Sequence, residues 1–164
     1  MKMKQIYICL GIFISLAASR FIPHPPNFTS MLALSFYVPV FLGLRYLPIL
    51  IISYAITDLV IGYHTGTHWV WGSIFLIGLV APLFSKNLTT RFSGALFGAC
   101  IFFVITNFGV WISGMYEITL DGFILCYTLA IPFFAYSLIS TLFFSVIIEI
   151  IYSLLKIKLR ISKQ

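Results

Sequence analysis

Long apolar stretches separated by short polar segments are the dominant pattern of this chain. Four stretches, at residues 21–44, 59–85, 92–116 and 122–148, contain no Asp, Glu, Lys or Arg. Each is longer than the roughly 20 residues that a helix needs to cross the hydrocarbon core of a membrane. Prolines and glycines divide these stretches further, and the pattern predicts six membrane-spanning helices. We place the spans at about residues 5–19, 29–44, 46–62, 67–85, 92–112 and 136–155.

The last apolar run, residues 122–155, is too long for a single straight crossing. At 1.5 Å per residue a helix over this run would extend about 50 Å, whereas the hydrocarbon core is about 30 Å thick. We therefore predict a short helix on the outer side at about residues 122–131, a break at Pro132, and then the sixth span.

The distribution of basic residues predicts how the spans are oriented. Nine of the ten basic residues lie at ends that face the cytoplasm if both termini do so, and Arg20 alone lies on the other side. The nine are Lys2, Lys4, Arg45, Lys86, Arg91, Lys156, Lys158, Arg160 and Lys163. The positive-inside rule then predicts that both termini are cytoplasmic. It also favours an uncleaved signal anchor for the first segment.

Composition excludes several classes of protein. With 61% hydrophobic and 9% charged residues, the chain is predicted to be a single polytopic, all-α membrane domain over residues 1–164. A bacterial cytoplasmic (inner) membrane is the expected location. The net charge of +6 lies mainly in loops and the C-terminal tail, which favours contact with anionic membrane lipid. Nucleic acid is not an expected partner, because no basic soluble domain is present.

Motifs that carry enzyme chemistry are missing from the sequence. It contains no GxxxxGK[ST], HExxH, GxSxG or CxxC segment, so we expect neither an enzyme nor a bound cofactor. A transporter built on this chain would need an energised partner or a coupling ion.

One acidic residue, Asp58, lies well inside a predicted span. A carboxylate at that depth costs roughly 2.5–3.5 kcal/mol, so it should face a partner or a wet cavity. Arg20, at the outer end of the first span, is its expected counter-ion. Two compatible interpretations remain: a structural ion pair that locks two helices, and part of a ligand site.

Two further pairs have a spacing of four residues. Asn107 and Trp111 are expected to share one helix face, where an amide and an indole suit a small heteroaromatic ligand; an interhelical hydrogen bond and an interfacial tryptophan are the alternative. His64 and His68 are weak candidates for a metal site. Their loop position favours polar interface residues or contacts with an organic ligand.

Small residues recur at a spacing of four in two spans. Gly11, Ser15 and Ser19 form one row, and Gly94 and Gly98 form another. Such rows let helices approach closely, either within the chain or with another membrane subunit. Glu149, in the last span, is expected to reach Lys86 or Arg91, or to mark a partner contact.

Four segments carry a resemblance to a known group of proteins. They are RFIPHPPNFT at 20–29, DLVIGYH at 58–64, TNFGVW at 106–111 and PFF at 132–134. In these segments the chain resembles an uncharacterised bacterial integral-membrane family. That family more remotely resembles the substrate-binding S components of energy-coupling factor (ECF) vitamin transporters. One departure is residues 135–141, which carry no charge where the family pattern ends in an acid.

The resemblance implies six helices, cytoplasmic termini and a ligand pocket on the outer half. It also implies docking, through small residues of the first helix, onto a transmembrane coupling subunit that carries ABC-type ATPases. We therefore expect a micronutrient-capturing subunit that binds a small-molecule substrate. A non-transporting scaffold is the alternative, and a membrane enzyme using Asp58 and the histidines ranks last. The expected pocket residues are Arg20, His24, Asn27, Asp58, His64, Asn107 and Trp111.

Overall fold

The described part of the chain is entirely helical. The structure, a computed structural model, describes residues 2–161 and the side chains of residues 5–155. These residues form six α-helices and no β-strand, which confirms the predicted all-α class. The helices are α1 (Lys2–Phe21), α2 (Met31–Leu42), α3 (Leu47–Ile61), α4 (Thr67–Val80), α5 (Leu88–Val110) and α6 (Leu120–Ile161). The basic side chains of Lys2 and Lys4 and those of the tail at 156–163 lie outside the described side chains.

Four helical segments are long and apolar enough to cross a membrane. They are Leu44–Ile61, Thr67–Phe84, Leu88–Met115 and Leu120–Leu155. Short 3₁₀ turns at Leu44–Tyr46 and Ala81–Phe84 complete the first two, and a π-helical turn at Trp111–Met115 extends α5. The segments Gln5–Phe21 and Met31–Leu42 are apolar but shorter. The protein is thus a helical protein with the character of a membrane protein, and the six crossings stay a prediction.

The predicted break in the last apolar run is wrong. α6 continues for 42 residues with Pro132 inside it, so 122–131 is not a separate short helix. Proline removes one backbone donor, but the surrounding apolar residues leave helix as the conformation that satisfies the other backbone groups in lipid. At about 63 Å, α6 is long enough to cross the membrane and to extend beyond it.

α2 is the central helix of the bundle. Its nine residues from Met31 to Pro39 are all buried, and it packs against the other five described helices. A helix that is apolar all round is expected in such a position. Its 12 residues extend only about 18 Å, less than the roughly 30 Å of the hydrocarbon core. The bundle therefore has free space beyond one end of α2.

The two rows of small residues have different surroundings. Gly94 and Gly98 are buried, and a methyl group added there would meet Phe84 and Ile77 respectively. The docking alternative is therefore wrong for these two glycines, which serve packing within the chain. Ser19 also faces inward and lies 2.7 Å from Ser30 between their hydroxyl oxygens. Gly11 and Ser15 are exposed on α1.

Candidate functional site

A cavity of about 610 Å³ occupies the free space beyond the first turn of α2. Thr29, Met31 and Leu32 form its floor at the start of that helix, and loop residues at 64–66 and 113–115 lie at its rim. Aromatic side chains make up much of its wall, and three polar side chains interrupt them. These wall residues are Tyr54, Phe102, Phe103, Phe133, Phe134, Thr106, Asn107 and Ser137.

The structure brings five of the seven expected pocket residues to this cavity. They are Arg20, His24, Asn27, His64 and Asn107. Asp58 and Trp111 do not line it. The five lining residues come from two loops and two helices, are up to 87 positions apart in the sequence, and surround one space in the fold.

Arg20 is held by one edge of α3. Its Nη2 lies 2.6 Å from Asp58 Oδ1, and its Nη1 donates to the hydroxyl of Thr57. The guanidinium carbon also lies 4.0 Å from the centre of the Tyr54 ring. A planar guanidinium suits this combination of a carboxylate and an aromatic face. Arg20 thus lines the cavity with a guanidinium that is held in place and whose charge is balanced by Asp58.

Asp58 is buried behind Arg20 and has both carboxylate oxygens engaged. Oδ1 pairs with Arg20, and Oδ2 accepts a 2.7 Å hydrogen bond from the indole N–H of Trp71. The three residues belong to α1, α3 and α4, so the cluster ties three helices together. The expected ion pair is present, and it has the geometry of a structural lock.

Trp71 was not among the expected site residues, although the sequence carries a signal for its contact. Asp58 lies three residues before the end of α3 at Ile61, and Trp71 lies four residues after the start of α4 at Thr67. Because a short loop joins the two helices, residues at similar distances from it lie at a similar height, so facing side chains can meet.

Removing the indole donor should weaken this lock measurably. We expect Trp71→Phe to lower the free energy of unfolding by about 1–3 kcal/mol, because one carboxylate oxygen of the buried Asp58 loses its hydrogen-bond donor. Thermal unfolding in mild detergent measures the effect. Trp111→Phe is the matched control, since the Trp111 indole bonds to the backbone oxygen of Glu117 near the surface. Equal stability of the two variants would contradict this account of the Asp58 site.

Asn107 is the polar side chain on the α5 wall. Its Nδ2 donates a 2.7 Å bond to the Phe103 backbone oxygen within the same helix. Among the described residues its side-chain oxygen has no hydrogen-bond partner. Thr106 and Ser137 also donate to carbonyls of their own helices, which leaves hydroxyl lone pairs as acceptors. The wall therefore offers acceptors, flanked by aromatic rings.

His24, Asn27 and His64 lie at the exposed mouth. His24 Nδ1 is 2.8 Å from the Pro25 backbone oxygen, and His64 Nδ1 accepts from the Gly66 backbone N–H at 3.2 Å. Asn27 has φ +62°, a left-handed conformation that asparagine tolerates better than most residues. Its backbone oxygen accepts from Ser140 at 3.2 Å, which fixes the loop to α6.

His64 lies in the loop before α4, which begins at Thr67, so the two histidines do not share a helix face, in line with the loop position read from the sequence. His68 instead lies against Trp69, with ring centres 5.4 Å apart. Over the side chains that the structure describes, no group of three or more His, Cys, Asp or Glu could hold a metal ion.

Asn107 and Trp111 lie one helical turn apart, since the Trp111 backbone N–H donates to the Asn107 carbonyl oxygen, but Trp111 does not line the cavity. From Trp111 onward the helix widens into the π-helical turn and then bends at Gly114, which has φ +82°. The Trp111 indole N–H donates to the Glu117 backbone oxygen at 3.1 Å, and its ring packs edge-on against Phe123 at 5.3 Å. Trp111 thus anchors the loop between α5 and α6 rather than the cavity wall.

Comparison with known proteins places the chain in a family. One family profile matches residues 1–162, nearly the entire sequence. The chain belongs to DUF6580, a family of unknown function. Membership in DUF6580 confirms the expectation of an uncharacterised family, and it assigns no activity. No curated protein and no solved structure matches the chain, so the function of this DUF6580 member has to be argued from its cavity.

Proposed function

We propose that this protein is the substrate-capturing membrane subunit of a micronutrient importer. The observation that carries the proposal is the cavity above the short central helix. Its volume of about 610 Å³ lies within the roughly 300–1,000 Å³ that is usual for small-molecule sites. A few polar groups set among aromatic rings are also typical of such sites.

The chemistry of the wall favours a small polar or heteroaromatic ligand. Phe103 and Phe134 stack with ring centres 4.4 Å apart and their planes 28° from parallel, so they offer flat surface to a planar ring. The free oxygen of Asn107 would accept a hydrogen bond from a ring or amide N–H. Because Arg20 is already compensated by Asp58, the ligand needs no negative charge.

The proposed topology has six crossings with both termini in the cytoplasm. The four long helical segments would supply four crossings, and α1, with 20 residues, and the shorter α2 would supply the others. In this orientation Arg45, Lys86 and Arg91 lie on the cytoplasmic side, as the positive-inside rule requires. The cavity then opens outward, which an importer needs. The bacterial inner membrane is the proposed location.

The proposed partner is a transmembrane coupling subunit with ABC-type ATPases, as in the ECF transporters that the sequence resembles. The exposed positions Gly11 and Ser15 on α1 support a docking face there, because a helix can approach closely at small residues. A methyl group added at Gly11 would meet no atom of this chain within 4 Å.

Native mass spectrometry tests the proposal on full-length protein purified gently from its own membranes. We expect a bound small molecule, and a fall of about tenfold in the ratio of bound to free protein for Asn107→Ala, since an unpaired polar group of the ligand costs about 1–3 kcal/mol. Trp111→Phe is the control on the same helix and should bind as the unchanged protein does. Bound lipid alone, or an empty cavity in repeated preparations, would contradict the proposal.

A second function, a non-transporting scaffold or assembly subunit, is favoured by one observation. Both oxygens of Asp58 are saturated by Arg20 and Trp71, so this polar cluster needs no ligand to explain it. The scaffold predicts that Asp58→Asn lowers stability while no small molecule is bound by any variant. Under the importer proposal, the Asp58→Asn protein that remains folded still binds its ligand.

A further inference from the structure

A row of buried hydroxyl groups follows α6 from the cavity toward the opposite end of the bundle. Ser137 lines the cavity; Thr141 and Ser145 follow it at intervals of four residues, Ser140 lies three residues after Ser137, and all are buried. Such spacing keeps them on one helix face. That face meets α2, because Tyr37 of α2 lies against Ser145. Glu149 ends the row, about 18 Å from Ser137 along the helix axis.

The first part of the row is explained by local hydrogen bonds, but the last part is not. Ser140 and Thr141 donate to the Ser137 backbone oxygen, a common arrangement for hydroxyls in membrane helices. The hydroxyls of Ser145 and Tyr37 are buried, and neither makes a hydrogen bond of good geometry. Tyr37 lies on α2, and its hydroxyl is close enough to interact with both Ser145 and Glu149. Buried polar groups therefore continue along the bundle from Ser137 to the Glu149 carboxylate.

Glu149 is held by a two-pronged ion pair at the end of the row. Arg91 Nε and Nη2 lie 2.5 Å and 2.8 Å from the two carboxylate oxygens, as the sequence led us to expect for this acid. Two parallel rings, Phe41 and Tyr152, stack at 4.1 Å beside the pair, and the guanidinium carbon lies 5.3 Å from the Phe41 ring centre. The cluster joins α2, α5 and α6.

A buried ion pair is a poor way to stabilise a helix bundle. Apolar side chains of the same volume commonly do so equally well, and the best-attested use of such pairs is to define one of two arrangements. Here the pair lies at the point where a polar row from the cavity meets the far end of the bundle. The ion pair therefore lies where it would close the end of the polar row.

We infer that Arg91 and Glu149 form a gate that closes a hydroxyl-lined route between α2 and α6, through which a small polar solute leaves the cavity. The identity of the solute rests on the proposed function; the gate itself does not. Separation of the pair opens the route past Tyr37 and Ser145. Translocation then runs through this chain's own interior.

Accessibility of Ser145 to water tests the gate directly. The chain carries Cys9, Cys100 and Cys126 as free cysteines, so Ser145→Cys is placed in a background where these three are alanine. The protein is embedded in lipid nanodiscs and treated with a membrane-impermeant maleimide, which reacts only with thiols that ionise in water. We expect protection with the pair intact. Labelling should become at least about tenfold faster with Glu149→Gln, the minimum expected from losing a charge-assisted hydrogen bond.

Matched variants separate opening of the gate from general damage. Val146→Cys, next to Ser145 but exposed on the lipid side, should stay unlabelled, and the exchange Arg91→Glu with Glu149→Arg should restore protection. If Glu149→Gln fails to fold, Arg91→Lys is the substitute. It keeps the positive charge but cannot form the two-pronged ion pair, and it should also speed labelling. Protection that persists in Glu149→Gln and Arg91→Lys overturns the inference, as does labelling with the pair intact.

A cysteine in the cavity distinguishes this test from that of the proposed function. Thr106→Cys lines the cavity and should be labelled whatever residues occupy 91 and 149. An unlabelled Thr106→Cys would contradict a water-accessible ligand site, whereas the Ser145→Cys result reports on the gate alone.

Discussion

Replacing Asp58 with alanine is expected to lower the free energy of unfolding by about 3–5 kcal/mol, the usual cost of leaving one member of a buried ion pair without its partner. The Arg20 side chain is only 11% exposed, so water can compensate for the lost carboxylate only in part. The Trp71 indole N–H loses its acceptor in the same substitution. For a chain of this size the loss corresponds to a fall of roughly 6–20 °C in the melting temperature, which thermal unfolding in mild detergent would detect.

Two controls identify the unpaired charge as the cause. Asp121→Ala removes the same type of residue from an exposed position in the first turn of α6, and should change the melting temperature little. Arg20→Met combined with Asp58→Leu removes both charges and should recover most of the stability. A double variant no more stable than Asp58→Ala alone would show that the ion pair is needed for more than charge compensation.

The contacts of the charged residues could be predicted because so few partners exist. A charge inside an apolar span has to find a counter-ion, and each of the two buried acids had at most two candidates within reach. Asp58 with Arg20 and Glu149 with Arg91 both form. The Trp71 contact could not be chosen in the same way, because Trp69 and Trp71 lie two residues apart on α4 and their side chains point in different directions. Trp69 packs against Gly109, and only Trp71 reaches Asp58.

The helix ends and the cavity were less accessible to prediction. Hydropathy gives the approximate length of a span, but the early end of α2 at Leu42 and the continuation of α6 through Pro132 depend on the surroundings of each helix. The cavity exists because α2 is short and central, and neither property follows from its composition. Residues 102, 103, 133 and 134 were therefore not expected as walls, although their aromatic character was plain.

Gly94→Ala is expected to be the next most damaging substitution, at about 1–3 kcal/mol. A methyl group at this position would lie 2.5 Å from Phe84 Cβ and 2.6 Å from Phe36 Cε2. Phe36 is fully buried in the central helix, and a Cβ atom moves only with its backbone. The clash can therefore be relieved only by separating α5 from α2 and from the turn at Ala81–Phe84, with loss of packing on both sides. The melting temperature and the yield of monodisperse protein report the effect.

The comparison that isolates the clash is Gly72→Ala. Gly72 also lies within a helix, α4, but a methyl group there would meet no atom within 4 Å, so alanine should be neutral or slightly stabilising. Gly98→Ala should fall between the two, because the nearest atom, 3.0 Å away, is a methyl carbon of Ile77 that can shift. An order in which Gly72→Ala is as damaging as Gly94→Ala would mean that glycine matters here for helix flexibility. The order expected from the contacts would instead establish close packing of α5 against Phe36 of α2 and against Phe84 as the reason for a glycine at position 94.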